Sequence, residues 1–70
     1  MTDLRLTTGE RIRVLRDRAG LTMRALAERS GVHVSTICAT EIGKTQARVE
    51  TLQSLAAALG VTVAALLGDS

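Results

Sequence analysis

The chain has 70 residues, 46% hydrophobic and 23% charged, with no aromatic residue and no proline; that describes one globular domain, residues 1–70, with a core of Leu, Ile, Val, Ala and Met, and it excludes a disordered chain. The formal charge is +2, but all nine basic residues fall at or before Arg48 beside five acids, a net +4, while the remainder carries only Glu50 and Asp69; a basic front of this kind suits a polyanion on one side. The longest apolar run, Val61 to Leu67 with Thr62 inside it, falls far short of the roughly 20 residues a membrane span needs, so no membrane partner is expected.

Five helical segments are predicted, punctuated by glycine. The first runs from about Gly9 to Ala19. "TTGE", Thr7 to Glu10, has capping-box form, in which a hydroxyl satisfies early N–H groups and Glu10 reaches back. Ile12, Leu15 and Ala19 recur at helical spacing and mark a buried stripe. Gly20 is the stop, and Arg11, Arg13 and Arg18 read as solvated. The second segment runs from about Met23 to Arg29, with Thr22 as N-cap, Leu21 entering the core, and Leu26 and Ala27 facing inward. The third runs from about Val34 to Glu41, anchored by Ile37 and ended by Gly43, and "GKTQA" is then a polar loop. The fourth runs from about Val49 to Leu59 with an apolar face of Val49, Leu52, Leu55, Ala56 and Leu59. The fifth is short: Thr62 caps it, Val63, Leu66 and Leu67 pack, and Gly68 ends it. An all-α fold follows, a compact five-helix bundle with its core from residue 9 to residue 67.

The informative element is "LTMRALAERSGVHVSTICATEIGK", two short helices joined by about four residues around Gly31. Small Ala27 lets the second helix pass close to the third. Gly31 makes a turn that needs positive φ. Val32 and Ile37 lock the pair at a steep angle, so the third helix protrudes.

Other chemistry finds little support. Cys38 is the single cysteine, which rules out an internal disulfide and fits a reducing compartment. "MTDLRLTTGER" holds no apolar run of signal-peptide length, and a soluble cytoplasmic protein is expected. His33 and Cys38 lie about 140° apart around a helix, and no further His or Cys could complete a zinc site with them. No convergent acid/base pair, activated nucleophile or Gly-rich phosphate loop is visible. Neither an enzyme nor a bound cofactor or metal is expected.

In this frame the chain resembles the Cro/repressor-type (XRE-type) helix-turn-helix family. The resemblance is carried by Arg16 within "VLRDRAGLT", then "LAERSGV", "STI", Glu41, "GK", "TLQSLAAALGV" and the terminal "LL". It runs in order from about Gly9 to Leu67. The resemblance implies a five-helix DNA-binding domain of the lambda-repressor type whose third helix enters the major groove of double-stranded DNA. By position, His33, Val34, Ser35, Cys38 and Ala39 would face bases. Thr22, Met23, Arg24, Thr36, Lys44, Thr45 and Arg48 would face phosphates. Arg16 and Glu41 would form a partly buried ion pair fixing the third helix on the first. Val63, Leu66 and Leu67 would form a homodimer interface, because the last helices often do so in this family.

The chain departs from the family pattern at Met23, where Gln commonly grips a phosphate, and at Thr40, a usual apolar position. It departs again at Ile42, usually polar or basic, and at Ala47, often Pro. The reading helix lacks the bidentate Arg or Gln that supplies strong base contacts. Two functions remain open: a sequence-specific transcriptional regulator, acting as a homodimer on a short palindrome, or a protein-interaction module that kept the fold. For the second, Val34, Cys38, Ala39 and Ile42 would form the apolar docking strip for a protein partner.

Overall fold

The computed structural model describes residues 6–68. Five helices follow in order: α1 Thr8–Arg18, α2 Met23–Ser30, α3 Val34–Glu41, α4 Val49–Leu59 and α5 Val63–Leu67. The capping signals explain where they start. Thr7 accepts a hydrogen bond from the Glu10 N–H (3.1 Å), and the Glu10 carboxylate accepts one from the Thr7 N–H (2.8 Å), closing the capping box of α1. Thr22 and Thr62 do half of this at α2 and α5, accepting from Ala25 and Ala65. Each cap satisfies a donor that a helix otherwise leaves open, worth about 1 kcal/mol.

Each helix contributes one side chain with no solvent exposure: Ile12, Leu26, Ile37, Leu55 and Leu66. Leu52 and Ala56 complete the buried cluster, and Leu15, Leu21, Val32, Leu59 and Val63 pack around it. α2 lies against α3 and α4, while α1 touches α3, α4 and α5. Every core residue is aliphatic, so the domain relies on close interdigitation rather than on large rings.

Four positions differ from the sequence expectation. Ala19 is exposed, because α1 ends at Arg18 and Ala19 is its C-cap; Leu21 packs against the core instead. Val49 is 64% exposed, since it opens the first turn of α4 and only later turns reach the cluster. Leu66 has no exposed surface, so it is a core residue and cannot meet a second subunit. Arg11 is half-buried rather than solvated. Its guanidinium lies against Gly68, at the C-terminal end of α5, where the helix dipole favours a cation.

Two backbone features set the angle of α3. Gly31 has φ of 74° and donates its N–H to the Ala27 carbonyl (2.9 Å), and the Ser30 hydroxyl accepts from the Val32 N–H (3.1 Å). The chain therefore reverses within three residues and re-enters helix at Val34. Gly9 is the second feature, and the sequence reading treated it only as a helix start. It is buried inside α1, and a Cβ there would collide with the Thr40 carbonyl oxygen and press on Glu41 Cα. The backbones of α1 and the end of α3 therefore touch directly, and only glycine permits it.

Candidate nucleic-acid interface

The inward face of α3 holds Ile37, Thr40 and Glu41. Glu41 takes a bidentate contact from Arg16: Nε to Oε2 at 2.8 Å and Nη2 to Oε1 at 3.0 Å. Arg16 Nη1 also donates to the Leu21 carbonyl (2.9 Å) and lies 3.3 Å from Asp17. The Glu41 side chain is only 1% exposed and that of Arg16 10%. The fork geometry leaves few lone pairs or protons unmatched, the condition under which a buried pair is tolerated. Hydrogen bonding to Glu41 raises the Arg16 pKa, burial opposes this, and the charges of Glu41 and Asp17 add to the rise. The guanidinium therefore stays charged. Thr40, a polar residue at an apolar position, is satisfied locally: its hydroxyl donates to the Thr36 carbonyl at 2.8 Å. Buried hydroxyls are tolerated when bonded in this way.

The outward face is the part available to a ligand. His33, Val34, Ser35 and Thr36 are exposed, whereas Cys38 and Ala39 are half-buried. The strip of base-facing candidates thus narrows toward the C-terminal half of the helix, where Cys38 and Ala39 offer an edge rather than a whole side chain. His33 also has a role the sequence reading missed. It is the N-cap of α3, its Nδ1 accepting the Ser35 N–H at 3.1 Å, and the Ser35 hydroxyl lies 2.8 Å from the same nitrogen. The sequence signal was available in hindsight: no Ser, Thr, Asp or Asn stands immediately before Val34, yet a protruding helix needs a cap.

The phosphate-facing candidates flank this strip. Thr22, Arg24, Thr36, Lys44, Thr45 and Arg48 are all exposed. Met23 is not comparable: it is half-buried and packs against the core cluster, and a thioether donates no hydrogen bond, so only its backbone N–H can serve a phosphate. That N–H and the one at Arg24 precede the first intrahelical bond of α2, which runs from Leu26 to Thr22. The positive end of α2 is therefore open to an anion. Apolar groups lie close by in sequence: Ile42 is 62% exposed and Val34 38%. Of the three dimer candidates, Leu67 is 48% exposed and Val63 half-buried, while Leu66 is enclosed. Among the described residues no cluster of three or more His, Cys, Asp or Glu is placed to hold a metal ion, and no helix is long and apolar enough to cross a membrane.

Comparison with known proteins gives a consistent result. A family model described as a helix-turn-helix domain matches residues 8–67. The HTH-type transcriptional regulator DdrOP3 of Deinococcus deserti is 41% identical over 58 residues, which is 83% of this chain and 45% of that protein; the chain thus spans about half the length of this relative. Among solved structures, the restriction-modification controller protein C.AhdI from Aeromonas hydrophila is 32% identical with a TM-score of 0.83, covering 86% of this chain and 91% of its own. The P22 c2 repressor in complex with a synthetic operator is 31% identical with a TM-score of 0.84, covering 93% and 98%. SinR, a master regulator for biofilm formation, solved in complex with DNA, is 30% identical with a TM-score of 0.83, covering 86% and 97%.

Proposed function

The chain belongs to the helix-turn-helix domain family, and we propose that it is a sequence-specific DNA-binding transcriptional regulator that places α3 in the major groove and works in the cytoplasm. The observation that carries this reading is the protruding, solvent-facing start of α3, from His33 to Thr36, flanked by the exposed cations Arg24, Lys44 and Arg48. The relatives known to bind DNA or an operator share its backbone. Phosphate contacts from α2, the α3–α4 loop and the start of α4 supply affinity and register, and α3 supplies the preference. Val34 offers methyl groups to a thymine methyl, while His33 and Ser35 offer polar atoms. Such contacts discriminate by nearer ~1 than ~3 kcal/mol per base. A second subunit compensates: two linked half-sites bind far more tightly than one. The surface proposed for that contact is Leu67 with Val63, no longer including Leu66.

The test is selection from random duplexes, with the oligomeric state measured alongside. An inverted repeat bound by a dimer is the expected result, with half-sites rich in thymine opposite Val34. Enrichment of no sequence at any protein concentration would overturn the reading. A second reading, a protein-interaction module, is favoured by exposed Val34 and Ile42 at the two ends of α3, and SinR has also been solved in a complex with the protein SinI. A salt series separates the two, because phosphate-driven binding weakens steeply with salt and apolar docking does not.

A further inference from the structure

His33 and Ser35 act as one unit rather than as two independent contacts, and their hydrogen bonds decide which atoms each can offer. The Ser35 backbone N–H reaches His33 Nδ1 at 3.1 Å. A backbone N–H can only donate, so Nδ1 carries no proton in this arrangement. The Ser35 hydroxyl, 2.8 Å from the same nitrogen, can meet an unprotonated Nδ1 only as a donor, sharing its single lone pair with the backbone N–H in a three-centre bond. Two consequences follow. In the neutral ring the proton sits on Nε2, which is the far nitrogen from the cap. The Ser35 hydroxyl has spent its hydrogen, so Oγ retains only lone pairs.

We infer that His33 and Ser35 are a fixed donor–acceptor pair that sets base preference: His33 Nε2–H selects an acceptor on the major-groove edge, and Ser35 Oγ selects an exocyclic amino group beside it. This rests on the proposed DNA-reading role of α3. The major groove offers the matching chemistry. Guanine N7 and O6, adenine N7 and thymine O4 accept, whereas cytosine N4 and adenine N6 donate. A cytosine opposite His33 would set a donor against a donor and is rejected. A guanine or thymine opposite Ser35 on the contacted strand would set an acceptor against an acceptor and is rejected there. A serine hydroxyl free to rotate would discriminate against neither.

The chain has one histidine, which makes the experiment direct. Long-range 1H–15N spectra of the full chain at a pH where the ring is neutral report its tautomer. Nε2–H alone, with Nδ1 shifted as a hydrogen-bonded acceptor, is expected. In parallel, random-duplex selection is run on the wild type, His33→Asn and His33→Gln. Asparagine keeps an acceptor at the position of Nδ1, so His33→Asn retains the cap and the melting temperature but loses the base preference at one position. Glutamine keeps a donor near the position of Nε2 but sets an acceptor beside it and loses the cap, so His33→Gln still selects a base at that position, shifted toward adenine, and melts lower. Where the selected base is a purine read at N7, its 7-deaza analogue should weaken wild type about tenfold and leave His33→Asn unchanged.

An Nδ1–H ring, an exchange-averaged ring, or identical profiles for the two variants would overturn the inference while leaving DNA binding intact. Selection of no sequence by any of the three proteins would overturn the DNA-reading premise and this inference with it, whatever the ring shows.

Discussion

The two sides of α3 are built by opposite rules. The inner side is over-determined: Ile37 is fully enclosed, Glu41 is held by a two-bond fork from Arg16, and the α1 backbone rests on Thr40 at Gly9. The outer side, from His33 to Thr36, is exposed and its hydrogen bonds are all local. The contrast teaches that the fold commits its strongest interactions to where the helix points, and leaves what it touches to a few small side chains. A helix so mounted can afford weak individual contacts, because little orientational freedom remains to be lost on binding.

The contrast can be broken most severely from the inner side. Glu41→Ala leaves a buried guanidinium without its partner and should cost about 3–5 kcal/mol, most of the stability of a domain this size, read as a large fall in the thermal midpoint by circular dichroism. An unmoved midpoint would show that the fork contributes nothing to orientation. Gly9→Ala tests the backbone contact. Alanine is the better helix former, so a substitution in open space would stabilise; here the collision with Thr40 should destabilise by about 1–3 kcal/mol, measured by urea titration. Thr40→Val keeps the shape and removes a hydroxyl that bonds only within its own helix, so its effect should be about 1 kcal/mol or less. The smallest effects on stability belong to the periphery of the outer side. Arg24→Ala and Lys44→Ala should leave the midpoint within about 0.5 kcal/mol, weaken all duplexes alike and each lower the salt slope by about 1. A sequence-dependent loss for either would place that residue among the base contacts.

The elements were legible because their punctuation is local. Threonine caps and glycine stops act on neighbours in the chain, so the spans of α3 and α4 agree with the periodicity, that of α1 is shifted by one residue at both ends, and that of α2 runs one residue longer. The Arg16–Glu41 contact was legible only through resemblance, since 25 residues separate the partners and no periodicity links them. What escaped depends on three-dimensional approach. Gly9 looked like part of a helix start, and nothing in one sequence says that another backbone needs the space of its Cβ. Val49 and Ala19 fit the helical spacing of their segments, but each lies in an end turn that projects past the core. Leu66 and Leu67 are indistinguishable by type, and a rotation of one residue puts the first inside and the second outside. His33 was read for what it could touch beyond the protein, when its nearer nitrogen is already engaged by Ser35.

The contact at Gly9 carries a mechanical consequence. Where helices meet through long side chains, rotamer changes absorb small shifts between them; two main chains in direct touch have no such cushion. A displacement of the first helix at Gly9 therefore presses directly on the main chain at the end of the third.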